Sequence, residues 1–289
     1  MPEDDAPDEE NTSTQIEKHV TNIIDKDGNI RDLSEHLHDI TGDVLSDESL
    51  ASLSAIDETS LPLVEGPVRF GPCVGNIGKF LCIGLNYSDH AAETGATPPD
   101  HPILFFKANS AICGANDTVS VPRQSQHSDW EVELGVVIGK AAKYVSKEDA
   151  LDYVAGYCIV NDVSERKFQM KLSGQWTKGK SCDTFGPTGP WLVTRDEITD
   201  PQNLPMTLDL NGERMQTGNT STMIFSVAEI IEHLSSLMTL HPGDVISTGT
   251  PPGVGSAKKP EPRYLREGDV MELWIEGLGT QKQTVARDA

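Results

Sequence analysis

The chain has 289 residues, of which 37% are hydrophobic, and its 25 glycines and 18 prolines are spread along it. This composition is typical of a folded, turn-rich globular protein and excludes collagen-like, coiled-coil and fully disordered classes. No apolar stretch reaches the roughly 20 residues that a membrane span needs, and the acidic N-terminus does not resemble a secretory signal, so we expect a soluble, cytoplasmic protein.

The acidic residues are concentrated at the front of the chain. The formal net charge at pH 7 is -22, and residues 1–66 hold 18 of the 45 acidic residues but only 3 of the 23 basic ones. A chain this acidic repels phosphate backbones, so nucleic acid is not an expected partner. The distribution predicts an acidic, disordered arm over residues 1–16 followed by an ordinary folded protein.

The next segment, residues 17–72, is predicted to form a small α+β region ahead of a larger domain over residues 73–289. Isoleucines on both sides of Asp27-Gly28 are typical of a β-hairpin. Residues 33–53 then have helical spacing, with Asp and Ser as candidate caps.

Strand signals dominate the larger domain. Short segments rich in branched or aromatic residues, bounded by Gly, Pro or Asn, predict strands at 80–85, 103–106, 131–138, 157–163, 191–194, 206–210, 245–248 and 270–275. Helical spacing predicts helices at 87–94, from 147 through 150 onward, and at 227–237. Helices alternate with strands too rarely for a doubly wound parallel sheet, so we expect a β-rich α+β fold, a roll or sandwich with peripheral helices.

Three carboxylates on two predicted strands are candidate metal ligands. Glu131 and Glu133 stand at i and i+2, so they share one face of their strand with Cα atoms about 7 Å apart. Their apolar neighbours indicate burial, where two like charges need a cation, and Asp162 follows on another apolar strand. Oxygen ligands without nearby His or Cys favour Mg²⁺ or Mn²⁺ over zinc. Spacing alone leaves open an exposed face with ordinary alternating acids.

Three further motifs offer catalytic groups. His90 and Glu93, at i and i+3 on a predicted helix, share a face. A carboxylate beside an imidazole orients it and raises its basicity, which is the arrangement needed to deprotonate a water; a surface salt bridge is the alternative. Lys180, in a predicted loop over residues 178–185, is able to stabilise an oxyanion or enolate. The Gly/Pro turn at residues 247–255 presents N–H groups and hydroxyls to an anion such as a carboxylate, or is simply a structural turn.

The order of these motifs resembles that of the fumarylacetoacetate hydrolase family over about residues 80–285. The matching motifs are Phe80-Leu81-Cys82-Ile83-Gly84-Leu85-Asn86-Tyr87 leading to His90 and Glu93, Phe106-Lys107, the Glu131/Glu133 pair, Asn161-Asp162, Gly179-Lys180-Ser181 and residues 247–255. Residues 175–187 resemble a bacterial branch labelled ureidoglycolate lyase or 2,4-diketo-3-deoxy-L-rhamnonate hydrolase.

This resemblance implies a roll of mixed β-sheets, a homodimer, and a catalytic domain over residues 73–289. It implies that Glu131, Glu133 and Asp162 bind Mg²⁺, with Mn²⁺ or Ca²⁺ as substitutes. It further implies a catalytic His90/Glu93 dyad on a lid segment and charge stabilisation by Lys180. The implied substrate-binding residues are Tyr87, Lys107, Gln169 and Thr250.

The implied reaction is hydrolysis of the C3–C4 bond of a 2,4-diketo acid, an acylpyruvate or a diketo-deoxy sugar acid, to pyruvate and a carboxylic acid. Alternatives that keep the same metal site are an oxaloacetate decarboxylase, a ureidoglycolate lyase, and a 2-oxo acid hydratase or isomerase. A non-catalytic metal- or metabolite-binding protein with the acidic arm as an interaction tail is the alternative from another class.

Overall fold

The structure, a computed structural model, describes residues 21–288, so the arm predicted over residues 1–16 lies outside the described residues. Within that range the chain divides into two compact units. The smaller contains residues 21–39 and 58–65, and the larger contains residues 40–57 and 66–288. The boundary predicted between residues 72 and 73 stays a prediction.

The elements of residues 21–288 are numbered in chain order. The strands are β1 Asn22–Ile24, β2 Ile30–Asp32, β3 Phe80–Gly84, β4 Ile103–Lys107, β5 Ile112–Gly114, β6 Val119–Val121, β7 Ser128–Asp129, β8 Val132–Ile138, β9 Val154–Asn161, β10 Ser164–Glu165, β11 Gly186–Thr194, β12 Pro205–Leu210, β13 Glu213–Asn219, β14 Val245–Ser247, β15 Val270–Ile275 and β16 Gly279–Arg287. The α-helices are α1 Asp47–Ser54, α2 Ser88–Thr94, α3 Arg166–Lys171, α4 Thr177–Lys180 and α5 Val227–Leu237. Over these described residues, no helix is long and apolar enough to cross a membrane.

The smaller unit is built on the predicted hairpin. β1 and β2 pair antiparallel. The Asp25 carboxylate closes the turn between them by accepting the N–H groups of Asp27 and Asn29 at 3.0 and 2.8 Å. Gly28 takes a φ of +82°, which glycine adopts without a steric penalty. The hairpin at Asp27-Gly28 is therefore confirmed.

A seven-stranded mixed sheet runs through the larger unit in the order β4-β3-β14-β8-β9-β11-β5. The pairs β14/β3 and β11/β5 are parallel, and the other neighbours are antiparallel. Every residue of β8 is buried. Val132 and Leu134 enter one hydrophobic core while Val137 enters a second core on the opposite face. Because both faces are covered, this strand reads as a nearly continuous apolar run in the sequence.

A five-stranded sheet in the order β13-β12-β15-β16-β6 covers one face of the first sheet. Its strand β12 alternates between buried and partly exposed residues, and Met206 and Leu208 of β12 join the same core as Leu134 of β8. Each of the five α-helices in residues 21–288 lies between two strands in the sequence. The expectation of a β-rich α+β fold with mixed sheets and few helices is confirmed.

Helical spacing overestimated two helices. Residues 33–53 contain only a 3₁₀ turn, Gly42–Val44, before α1. α1 begins late because the Ser46 side chain caps it by accepting the N–H of Ser49 at 3.2 Å. The helix expected from residue 147 is a 3₁₀ turn at Ala150–Tyr153.

The opposite error occurs near residue 180. Residues 178–185 were expected to form a loop, yet the first of them belong to α4. A Cβ on Gly179 would lie 2.5 Å from the backbone nitrogen of Gln169 and from the backbone oxygen of Glu165. Gly179 therefore lets α4 pack directly on α3, a long-range contact that local propensity does not contain.

α5 has a capping box that gives a stability prediction. The Ser226 hydroxyl accepts the N–H of Glu229 at 3.3 Å, and the Glu229 carboxylate accepts the N–H of Ser226 at 2.8 Å. We expect Ser226→Ala to lower the free energy of unfolding in urea by about 1 kcal/mol. Ser236→Ala, at an exposed serine near the other end of α5, is the control and should have little effect. Equal losses from both variants would contradict the capping role.

Candidate active site

Glu131, Glu133 and Asp162 converge as the sequence predicted. One carboxylate oxygen from each lies within 4.8 Å of the other two, and all three residues are buried. Glu133 lies near the start of β8, Glu131 immediately precedes this strand, and Asp162 follows the last residue of β9. The antiparallel register sets Val132 opposite Asn161, and the Asp162 N–H donates to the Glu131 carbonyl at 3.0 Å. The strand register therefore assembles the cluster.

Three cations, two of them buried lysines and the third a partly buried arginine, lie against two of these carboxylates. Lys180 Nζ is 2.5 Å from Glu131 Oε2 and 2.6 Å from Asp162 Oδ2. Arg166 donates to Glu131 Oε1 at 2.7 Å, and Lys107 Nζ is 2.6 Å from Asp162 Oδ1. Burial would raise the pKa of Glu131, but the charges of Arg166 and Lys180 outweigh it and lower this pKa to about 2. Glu131 is therefore ionised at neutral pH.

Glu133 has no ion-pair partner among residues 21–288. Its Oε2 accepts hydrogen bonds from the Ser247 hydroxyl at 2.6 Å and the Gly249 N–H at 2.8 Å, both neutral donors. Burial, reinforced by the charges of Asp162 and Glu131, raises the pKa of Glu133 well above its ordinary value. A cation placed between these carboxylates would offset that repulsion.

A divalent cation fits this donor set. Asp162 Oδ1 is buried and accepts no hydrogen bond from any residue between 21 and 288. The neighbouring Lys107 ammonium donates instead to the carbonyls of Val163 and Lys180, at 3.0 and 2.6 Å. This oxygen and the under-compensated Glu133 keep coordination capacity, and carboxylate oxygens are the ligands that hard divalent cations prefer. The three-carboxylate cluster is thus able to hold a divalent metal ion.

The second predicted group, the dyad on α2, is also formed. His90 Nδ1 lies 3.0 Å from Glu93 Oε2. The Gly253 N–H holds the Glu93 carboxylate, at 3.0 and 3.1 Å from its two oxygens. Because Glu93 accepts the proton of Nδ1, the other ring nitrogen of His90 is left to accept a proton.

The Gly/Pro turn that follows β14 binds three of the protein's own carboxylates. Its first residues bind Glu133 and its middle binds the dyad carboxylate, through the contacts given above. At its end, the N–H groups of Gly255 and Ser256 donate to Asp129 at 2.6 and 2.9 Å. The anions expected at this turn are therefore protein side chains, and the turn links the carboxylate cluster to the dyad.

Lys107 and Gln169, two of the four predicted substrate-binding residues, adjoin the cluster. Lys107 forms the ion pair with Asp162 described above and is buried. Gln169, on α3, accepts a hydrogen bond from Arg166 Nη1 at 3.2 Å. Their contacts with a substrate stay predictions.

The other two, Thr250 and Tyr87, are tied to the framework. The Thr250 hydroxyl donates to the carbonyl of Val132, the residue between the two glutamates, at 2.9 Å. Tyr87 is fully buried in the core, and its hydroxyl lies 3.4 Å from Met206 Sδ. Tyr87 therefore does not join the carboxylate cluster, and the substrate contacts of both residues stay predictions.

Arg166 and Asp129 are site residues that the sequence reasoning missed. Arg166 begins α3, four residues after Asp162, and bonds to Glu131. Asp129 continues the alternation of Glu131 and Glu133 two residues upstream. That alternation was the available signal, because residues at i, i+2 and i+4 of an extended chain share a face.

The Ser247 contact gives a prediction about metal affinity. Partners that orient a ligating carboxylate typically contribute about 10- to 100-fold in metal affinity. We therefore expect Ser247→Ala to weaken Mn²⁺ binding by about that factor, measured by titration with electron paramagnetic resonance of the free ion. Ser235→Ala also removes a buried hydroxyl, but on α5, and should leave the affinity unchanged. Wild-type affinity in Ser247→Ala would contradict the orienting role.

Known proteins resemble this chain along most of its length. The family model described as "Fumarylacetoacetate (FAA) hydrolase C-terminal" matches residues 79–286. Relatives from Burkholderia lata and Burkholderia orbicola are 60% and 59% identical over 267 residues, which is 92% of this chain and 94% of each relative. The names of both begin "Putative hydrolase".

Solved structures also resemble this chain along most of its length. Fumarylacetoacetate hydrolase from Exiguobacterium antarcticum is 35% identical and superposes with a TM-score of 0.81 over 92% of this chain and 95% of its own. A 2-hydroxyhepta-2,4-diene-1,7-dioate isomerase from Mycobacterium marinum is 38% identical with a TM-score of 0.65, over 81% of each chain.

Proposed function

The chain belongs to the fumarylacetoacetate hydrolase family, and from this premise we propose that it is a Mg²⁺-dependent hydrolase of 2,4-diketo acids. The proposed reaction cleaves the C3–C4 bond of an acylpyruvate or a diketo-deoxy sugar acid, giving pyruvate and a carboxylic acid. One observation carries the proposal: three buried carboxylates converge, Glu133 among them accepts hydrogen bonds from neutral donors, and a single turn links the cluster to a His/Glu dyad. The bacterial branch resembled by residues 175–187 and a homodimer belong to the same proposal.

The proposed metal ligands are Glu131, Glu133 and Asp162. All are carboxylates, which supports Mg²⁺, with Mn²⁺ or Ca²⁺ as substitutes. When bound, the cation supplies Lewis-acid charge at the 2-oxo acid end of the substrate, which makes the pyruvate enolate a tolerable leaving group.

His90 is the proposed general base. Glu93 Oε2 keeps the proton of the imidazole on Nδ1, so Nε2 takes a proton from the water that adds to C4. The C3–C4 bond then breaks, its electron pair remains on the pyruvate fragment as an enolate, and C3 takes up a proton. One water is consumed, and its oxygen ends in the carboxylic acid.

Lys180 is the proposed stabiliser of the oxyanion at C4. Burial would lower its pKa, but Asp162 and Glu131 raise this pKa above the usual 10.5, so the side chain is an ammonium at neutral pH. In a site with little water, such a fixed charge stabilises a developing oxyanion more than it would in solution.

The test of the reaction is a spectrophotometric assay of acetylpyruvate with Mg²⁺ and then with excess EDTA, beside oxaloacetate. We expect metal-dependent loss of the diketo absorbance together with pyruvate release. Oxaloacetate turnover without cleavage of acetylpyruvate would overturn hydrolysis in favour of decarboxylation. If neither substrate reacts, the result would favour the ureidoglycolate lyase reaction or a non-catalytic binding role.

Isomerisation of an unsaturated 2-oxo acid is a second candidate, because two similar solved structures bear isomerase names. They are the Mycobacterium marinum protein above and a 5-carboxymethyl-2-hydroxymuconate delta-isomerase from Mycobacterium smegmatis, 38% and 36% identical. Isomerisation moves a proton without consuming water. Reaction in ¹⁸O-labelled water separates the two, since only hydrolysis places the label in the carboxylic acid product.

A further inference from the structure

Asp129 is a fully buried carboxylate outside the metal cluster. Its Oδ1 accepts the N–H groups of Trp130 at 2.9 Å and Gly255 at 2.6 Å. Its Oδ2 accepts the N–H of Ser256 at 2.9 Å and Nε of Arg166 at 2.8 Å. One side chain therefore receives four donors from three separate parts of the chain.

A short strand pair brings Asp129 to Arg166. β7 pairs antiparallel with β10, so that Asp129 lies opposite Ser164, two residues before Arg166. The guanidinium then lies between two carboxylates, with Nε 2.8 Å from Asp129 Oδ2 and Nη2 2.7 Å from Glu131 Oε1. Because the fork of Arg166 is planar and rigid, fixing one end of it fixes the other.

Asp129 also anchors the end of the Gly/Pro turn. A Cβ on Gly255 would lie 2.7 Å from Asp129 Oδ1 and 1.9 Å from the Arg263 carbonyl, so the close approach requires glycine. Two residues earlier, Gly253 holds the dyad carboxylate of Glu93. The position of the dyad support therefore depends on the same buried carboxylate that orients Arg166.

We propose that Asp129 is a positioning residue that keeps the metal ligands and the His/Glu dyad at a fixed separation. It does so by holding Arg166 on Glu131 and the turn at residues 253–256 on Glu93. The inference rests on the proposed function in taking Glu131 as a metal ligand. With Asp129→Asn the guanidinium loses one of its two carboxylates, so it competes more strongly with a metal ion for the remaining carboxylate of Glu131.

The test measures Mn²⁺ binding and the electron paramagnetic resonance spectrum of the bound ion, which reports the symmetry of its ligands. We expect Asp129→Asn to raise the Kd for Mn²⁺ by about tenfold or more and to change the spectrum. Asp25→Asn is the matched control. Asp25 is also a buried carboxylate that accepts an arginine Nε, that of Arg31 at 2.7 Å, and a backbone N–H, that of Asn29 at 2.8 Å, and these partners belong to the β1–β2 hairpin. It should leave both readouts as in the wild type.

Wild-type Kd and spectrum in Asp129→Asn would overturn the proposal. Equal changes in Asp25→Asn would overturn it as well, because they would indicate a general loss of stability rather than a change at the site. If Asp129→Asn does not fold, Asp129→Glu keeps the charge but displaces it by one methylene, and an unchanged Mn²⁺ spectrum in that variant would refute the positioning role. A wild-type protein that binds no Mn²⁺ would overturn both the metal assignment of the proposed function and this inference. A wild-type protein that binds Mn²⁺, with an unchanged Kd and spectrum in Asp129→Asn, would overturn this inference alone.

Discussion

Replacing Lys180 by methionine is expected to lower the turnover of a 2,4-diketo acid by about 10²- to 10³-fold, the usual effect of removing one oxyanion donor. The same change is expected to leave Mn²⁺ binding intact or tighter. The reason is geometric: the ammonium lies on Glu131 Oε2 and Asp162 Oδ2, two oxygens of the candidate metal cluster. Without the ammonium, both oxygens lose a cationic partner that a metal ion would otherwise have to displace.

Measurements of the stability of Lys180→Met distinguish the loss of turnover from misfolding of the variant. Removing one partner of a buried ion pair leaves uncompensated charge and typically costs about 3–5 kcal/mol. We therefore expect metal-free Lys180→Met to be destabilised by about that amount, and we expect added Mn²⁺ to recover most of the loss, because the ion binds only the folded state. Urea denaturation with and without Mn²⁺ measures both quantities.

Lys178→Met is the matched control for this experiment. Lys178 lies on the same short helix but is exposed, and its ammonium donates to the Ser173 hydroxyl. It should keep wild-type turnover, metal affinity and stability. Near wild-type turnover in Lys180→Met, or a large loss of Mn²⁺ affinity, would refute the roles given to Lys180.

Replacing His90 by glutamine is expected to lower hydrolysis by about 10²- to 10⁴-fold, the range in which a positioned general base contributes. Glutamine retains hydrogen-bonding capacity toward Glu93 but cannot take the proton of the attacking water. Any decarboxylation of oxaloacetate by the same protein should be affected less, because loss of CO₂ needs no water nucleophile. Parallel assays of both substrates measure the difference.

His241→Gln serves as the control, because His241 is exposed and follows α5 rather than lying in the dyad. Its turnover of both substrates should match the wild type. If hydrolysis and decarboxylation fell equally in His90→Gln, the residue would have a general binding role and the water-activating assignment would be wrong.

The local sequence pattern was sufficient to predict the parts of the site that lie on, or directly beside, strands and helices. Glu131 and Glu133 share a face because a strand repeats every two residues, and His90 meets Glu93 because a helix brings i and i+3 together. The strand positions of the larger domain follow from short branched segments bounded by turn residues, and the structure confirms β3, β4, β8 and β15 nearly residue for residue. The resemblance to a family added the expected roles.

The local sequence pattern gave wrong secondary-structure predictions where a contact with residues distant in sequence decides the conformation. The helix expected over residues 33–53 shrinks to α1, and the loop expected at residues 178–185 begins as a helix because Gly179 packs on α3. Spacing also left open whether the turn at residues 247–255 binds a ligand anion, and it gave no sign that Glu133 and Glu93 occupy its N–H groups.

The sequence by itself determined the fold class, the two strands on or beside which the carboxylates lie, and the pairing of His90 with Glu93, since each depends on residues close together in the chain. Only the tertiary structure decided the charge balance of the site. Lys180 compensates Glu131 and Asp162, whereas within the described part of the chain Glu133 receives neutral donors only, and Asp129 ties Arg166 to the Gly/Pro turn. These partners come from elements far apart in sequence, and electrostatic energies depend on distance and burial, which spacing along the chain does not specify.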